Sequence, residues 1–126
     1  MFSDCEKLVR LNKITHKHIL AKVRDLIAEY KKSGHRGVIV DAPLLFESGF
    51  DAECDTTICV CADKSARLER IVLRDSISCD KAMVRINSQV SDDELRRKCD
   101  YTIENNSTPE DLRMQVTEIA RQIFDY

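Results

Sequence analysis

Glycine is scarce in this 126-residue sequence: Gly34, Gly37 and Gly49 are all there is, and no G-x-x-x-x-G-K-[ST] loop can be written through them. The chain therefore has no glycine-rich backbone cradle for a triphosphate. No apolar run approaches the roughly 20 residues of a membrane span, and the N-terminus MFSDCEKLVR lacks the basic-then-apolar order of a signal peptide. Excess positive charge is also lacking, since 20 Lys and Arg against 22 Asp and Glu leave a net charge of -2. Without a global field to hold a nucleic-acid backbone, any anion binding has to be local. Cys5, Cys54, Cys59, Cys61, Cys79 and Cys99 include no C-x-x-C pair, and His16 and His18 have no cysteine at ligand spacing, which argues against zinc and against a disulfide framework. Cys59 and Cys61 share one face of an apolar run and suit a core as reduced thiols. These absences describe a cytoplasmic chain with no nucleic-acid or membrane partner expected. Repeats, low-complexity segments and long linkers are missing too, so 126 residues at 43% hydrophobic content fit one domain or a piece of one.

What is present alternates helices with short apolar strands. Ile19, Val23, Leu26, Ile27 and Tyr30 recur at helical spacing from about Thr15 to Ser33, and Gly34 stands where a C-terminal stop belongs. The runs GVIVD (37–41) and TTICVC (56–61) are too short for helices and rich in β-branched residues, the pattern of parallel strands covered on both faces. Asp63 is placed to cap a helix to about Arg74, with Leu68, Ile71 and Val72 on one side and Arg67, Arg70 and Arg74 on the other. Ser78 or Asp80 opens another helix through Gln89, on which Lys81, Arg85 and Gln89 recur at four-residue spacing and give a second basic stripe. Ser91 and Glu94 read as a capping box, DYTIE (100–104) as a third strand, and Thr108-Pro109 with Asp111 as the start of a last helix.

Strands alternating with helices imply a doubly wound sheet, whose ligands bind beyond the carboxyl ends of the strands. Asp41 ends its strand, so DAPLLFESG is a loop at that edge. Leu44, Leu45 and Phe46 there either form an apolar wall beside a substrate or cover the core under a following helix.

The order RLNKITHKHI, then VIVDAPLLFESGFDAECDTTICVCADKSARLERIVLRDSIS, then RINSQVSDDELRRKCDYTIENNSTPEDL resembles the dephospho-CoA kinase family from about Phe2 to Leu112. Recognisable pieces are Leu11-Asn12 before His16, Asp41 to Glu47, Arg70-x-x-x-Arg74-Asp75, Arg85-Ile86 with Gln89, Asp100-Tyr101, and Ile103-x-Asn105-Asn106. Lys17 departs from the proline usual in the family after the histidine. The resemblance implies an α/β fold: a three-layer, P-loop-kinase-like parallel sheet with a helical lid at about 67–90. The sheet would be incomplete at the N-terminus, because the family's phosphate loop and its general-base acid have no counterpart between residues 1 and 126.

The resemblance also assigns roles. Kinases of this family transfer the γ-phosphate of ATP, with Mg2+, to the 3'-hydroxyl of dephospho-CoA, the last step of coenzyme A synthesis. Arg70, Arg74 and Arg85 would belong to a lid that supplies positive charge to the phosphates; read by spacing alone they form a solvated basic face. Asp41 would hold a magnesium-bound water and, with Pro43, Leu44, Leu45 and Glu47, would face dephospho-CoA. His16 would help build the acceptor pocket or cap its helix. Asn105 and Asn106 would pass beneath the adenine ring, or form an Asn-rich turn.

Two functions follow. One is a kinase portion that cannot turn over alone; the other is a non-catalytic module that binds a CoA-like ligand and needs a partner chain for ATP. The family's phosphate-loop strand would lie between the strands at 37–41 and 56–61, so its absence leaves two open edges and predicts either a swapped or edge-paired dimer or a marginally folded, aggregation-prone chain.

Overall fold

A computed structural model of the chain describes residues 4–124. Met1 and Phe2, where the resemblance begins, lie outside the described residues. Two compact units divide the chain, Met1–Cys54 and Asp55–Tyr126.

The first unit is dominated by helix α1 (Asp4–Lys32). It begins well before Thr15, with Asp4 and Glu6 in its first turn and Lys31 and Lys32 in its last, each sign opposing the helix dipole. Gly34 ends it as the sequence requires, at φ +82°. The Gly34 N–H donates to the Lys31 carbonyl at 3.2 Å and the His35 N–H to the Tyr30 carbonyl at 3.2 Å, the paired bonds of a Schellman stop. The Tyr30 and His35 rings close the stop edge to face, with centroids 5.3 Å apart. No described residue of α1 is buried, and Leu8, Leu11, Ile14 and Ile19 are all exposed.

The expected strand at 37–41 does not form: these residues belong to no strand or helix, and Ile39 is 86% exposed. Strand identity is conferred by a hydrogen-bonded neighbour, and among the described residues none runs beside Val38 to Val40. The chain then enters the short helix α2 (Leu45–Ser48), stopped by Gly49 at φ +77°, and a 3-10 turn (Phe50–Glu53) that buries Phe50.

The second unit is built on a two-stranded parallel sheet, β1 (Ile58–Cys61) beside β2 (Tyr101–Glu104), with Val60 opposite Ile103. Between them run α3 (Lys64–Asp75), α4 (Cys79–Asn87) and α5 (Asp92–Lys98); α6 (Pro109–Phe124) follows. Helix α5 packs on β1, α6 on β2, and α3 on α4. Asp100 joins the strands at their beginnings, its carboxylate accepting from the Thr57 N–H at 2.9 Å and the Thr57 hydroxyl at 3.2 Å. On α6, Gln115 brackets the Glu104 backbone with two 2.9 Å bonds, taking up both an N–H and a carbonyl.

Cys59 and Cys61 share the buried face of β1 as expected, and burial pushes the Cys61 thiol up to about 12, with hydrogen bonding to Cys59 adding to it. Cys99, also raised by burial, reaches about 11. All six cysteines are free, and these two thiols stay protonated and unreactive at neutral pH. The opposite face of β1 departs from the sequence pattern: Ile58 is 42% and Val60 60% exposed, so this strand is covered on one face rather than two.

Candidate active site

The charged corner of the second unit follows from how α3 ends. Helix α3 stops when Ser76 takes φ +52°, a left-handed conformation, and the Ser78 hydroxyl then accepts the Lys81 N–H at 3.3 Å to open α4. The tight turn brings the last residues of α3 beside Arg85. Arg74 grips Asp75 with two bonds, Nε to Oδ1 at 2.8 Å and Nη2 to Oδ2 at 2.9 Å, while Arg85 Nη1 reaches the same Oδ2 at 2.6 Å. Hydrogen bonding from Arg74, with Arg85 adding charge, holds the Asp75 carboxyl below the usual aspartate range, and Asp75 in turn raises the Arg74 guanidinium. Arg70, one turn earlier, is exposed and has no ion-pair partner among the described residues.

A second cluster lies at the carboxyl ends of the strands, where parallel sheets place their ligands. The Asn105 N–H donates to the Cys61 carbonyl at 2.7 Å, extending the ladder by one residue. Asn106 Oδ1 accepts the Asp63 N–H at 2.7 Å, and its Nδ2 donates to Asp63 Oδ1 at 3.4 Å. Asp63 therefore precedes α3 without capping it through its side chain, contrary to the pattern reading: the contact with Asn106 competes for the same carboxylate. Beside this pair opens a cavity of about 350 Å³ lined by Asp63, Lys64, Arg67, Gln89, Asp92 and Arg96, among others. Arg67 donates to Gln89 Oε1 at 2.5 Å and to Asp92 Oδ1 at 3.3 Å. Arg96 is held by Glu104 at 2.9 and 3.1 Å, which raises its pKa further.

The first unit carries the remaining expected residues. Asp41, Pro43 and Glu47 are exposed, Leu44 is 43% exposed, and Leu45 and Phe46 are half-buried on and around α2. Phe50 is the buried apolar residue of this stretch, and Leu44 lies at the surface. His16 is half-buried in mid-helix; because α1 starts at Asp4, it cannot cap the helix. Among the described residues no three His, Cys, Asp or Glu side chains gather as a metal site. No described helix is long and apolar enough to cross a membrane.

The sequence profile of the dephospho-CoA kinase family matches residues 1–111. The chain belongs to the dephospho-CoA kinase family. It is 39% identical over 123 residues to a dephospho-CoA kinase of Fusobacterium nucleatum, covering 98% of this chain and 62% of that protein. Among solved structures it is similar to TT1252 of Thermus thermophilus, with a TM-score of 0.72, 28% identity and coverage of 97% of this chain and 62% of the other. A dephospho-CoA kinase from Campylobacter jejuni gives a TM-score of 0.65 at 28% identity, covering 98% of this chain and 60% of that one. The chain thus spans about three fifths of these relatives, and its helix-rich unit with a parallel sheet accords with their P-loop-kinase-like α/β fold.

Within the family frame, the structure brings Arg74 and Arg85 together through Asp75, and Asn106 together with Asp63. Arg70 joins neither pair. Reasoning from sequence gave no role to Asp75 or to the Asp63 side chain's pairing with Asn106. The available signal for Asp75 was its place directly after Arg74 at the end of an amphipathic helix, where a carboxylate is unfavourable to the helix dipole unless a cation holds it.

Proposed function

We propose that this chain carries the acceptor-side and lid portion of a kinase that moves the γ-phosphate of ATP to the 3'-hydroxyl of dephospho-CoA. The observation that carries the reading is the convergence of two largely exposed guanidiniums, Arg74 and Arg85, on one carboxylate at the α3–α4 turn. Phosphoryl transfer depends on positioning and on neutralising phosphate charge, and paired guanidiniums supply both. In this reading residues 67–90 form the lid, and Arg70 adds a third cation on the face of α3 that meets the nucleotide. Asn105 and Asn106 shape the loop under adenine, with Asn106 fixed by Asp63. Pro43, Leu44, Leu45 and Glu47 face the acceptor, Leu44 being already at the surface to do so, and His16 contributes to the same pocket. Magnesium keeps several of its waters, and in this reading the exposed Asp41 carboxylate contacts it through one of them. Bound magnesium supplies charge neutralisation at the phosphates. The chain works in the cytoplasm.

The test joins the chain to the N-terminal segment of the Fusobacterium relative and couples ADP release to a readout with dephospho-CoA as acceptor. Turnover with dephospho-CoA and none with CoA, whose 3'-hydroxyl is already phosphorylated, is the expected result. A folded joined protein that releases no ADP with dephospho-CoA would overturn the assignment.

The sheet adds a consequence for assembly. One edge of β1 has no neighbour among the described residues, and Ile58 and Val60 stand exposed beside it. Such an edge recruits another strand, so the isolated chain is expected to pair with a second copy. Sedimentation velocity should show concentration-dependent association, and Val60→Lys should shift it toward monomer, because a lysine on an edge opposes pairing. A parent chain that stays monomeric at every concentration, with slowly exchanging amides at 58–60, counts against it.

A further inference from the structure

Asp75 takes no part in the roles above, yet both arginines close on it. Its side chain is 26% exposed, against 73% for Arg74 and 54% for Arg85, so the carboxylate lies behind the cations. Main chain fixes it on both sides: it is the last residue of α3, and the left-handed Ser76 turns the chain directly after it. A guanidinium has five N–H donors in a planar fork. Asp75 takes two from Arg74 and one from Arg85, leaving donors on the edges of both forks that it does not occupy.

The geometry points to Asp75 as a positioning residue that gathers the Arg74 and Arg85 guanidiniums into one preformed site for polyphosphate oxygens. The inference rests on the reading of α3 and α4 as a lid. Arginine has one of the largest side-chain entropies, and two of them ordered at folding need not be ordered again at binding. Charge alone argues the other way: removing a carboxylate about 6 Å from a bound anion would tighten binding roughly threefold in water. Two guanidiniums released from their common anchor lose more than that gain, so the sign of the effect separates the two accounts.

The full chain is titrated with inorganic tripolyphosphate while the Nε–H signals of Arg74 and Arg85, assigned by Arg→Lys variants, are followed by NMR. In the parent chain both signals should move together on one isotherm. Asp75→Asn is expected to weaken that isotherm about tenfold and to separate the two signals, because the neutral amide no longer anchors both forks. Asp75→Glu keeps the charge on a longer stem and should recover most of the loss, binding about two- to threefold less tightly than the parent. It also carries the test should Asp75→Asn fail to fold, in which case parent-like or tighter binding by Asp75→Glu overturns the inference. Unchanged or tighter binding by Asp75→Asn makes the carboxylate a competing anion rather than an anchor, and leaves the lid reading intact. If neither arginine in the parent responds to tripolyphosphate, the lid reading itself fails and the site with it.

Discussion

The 126-residue chain by itself is expected to release ADP from ATP and dephospho-CoA at less than about 0.001 per second, far under the roughly 1 to 100 per second of ordinary kinases. The transferred phosphate must be held by oriented N–H groups and a lysine before any acceptor can attack it. Gly34 and Gly49 are the described glycines at positive φ, and both are spent on stopping helices. Gly37 lies in the irregular stretch before Asp41, with no lysine and hydroxyl following at phosphate-loop spacing. The arginines at the α3–α4 turn can neutralise phosphate charge, but charge without an oriented nucleophile and leaving group gives little of the effective molarity that transfer requires. A coupled assay with the chain at micromolar concentration decides the matter. Turnover within an order of magnitude of the ordinary range would show that the chain builds its phosphate cradle from other residues.

The parts of the fold that were legible in the sequence are those set by local chemistry. Gly34 and its Schellman bonds, the Ser78 and Ser91 caps, and the Thr108 hydroxyl accepting the Asp111 N–H at 3.2 Å all depend on residues within a few positions of one another. Capping also shows where local chemistry stops being sufficient: Ser91 accepts the Glu94 N–H as expected, while the Glu94 carboxylate is engaged by Lys98 one turn on. Asp63 has the residue type of a cap but answers to Asn106, 43 residues away. Val38 to Val40 have the composition of a buried strand, yet strand identity depends on a partner that composition cannot supply. The same dependence explains β1, whose Ile58 and Val60 have the character of interior residues and remain exposed. For the site, helical spacing put Arg70 and Arg74 on one face of α3; only the Ser76 turn, a left-handed conformation at a residue type that seldom adopts it, brings Arg85 to the same carboxylate.

In a kinase completed with a relative's N-terminal segment, Arg74→Ala is expected to lower kcat by about 10² to 10³, the range seen when one preorganised donor to developing charge is removed. The KM for ATP should rise much less, because a contact that strengthens as charge builds on the transferred group acts mainly on the transition state. Stability offers the control. Arg74 is 73% exposed, and exposed ion pairs add little to folding, so its loss should leave the melting midpoint nearly unchanged. Arg74→Lys should restore only a minor part of the rate, since an ammonium cannot grip Asp75 with two parallel bonds while presenting donors on another edge. Arg70→Ala serves as the comparison on the same face of α3: its side chain has no anchor among the described residues, so it enters the site only on binding, and its loss should appear more in KM than in kcat. Steady-state kinetics with ATP varied at saturating dephospho-CoA measures both. Equal kcat for the parent and Arg74→Ala would return this stretch of α3 to a solvated basic face and leave its pairing with Asp75 a matter of helix termination alone.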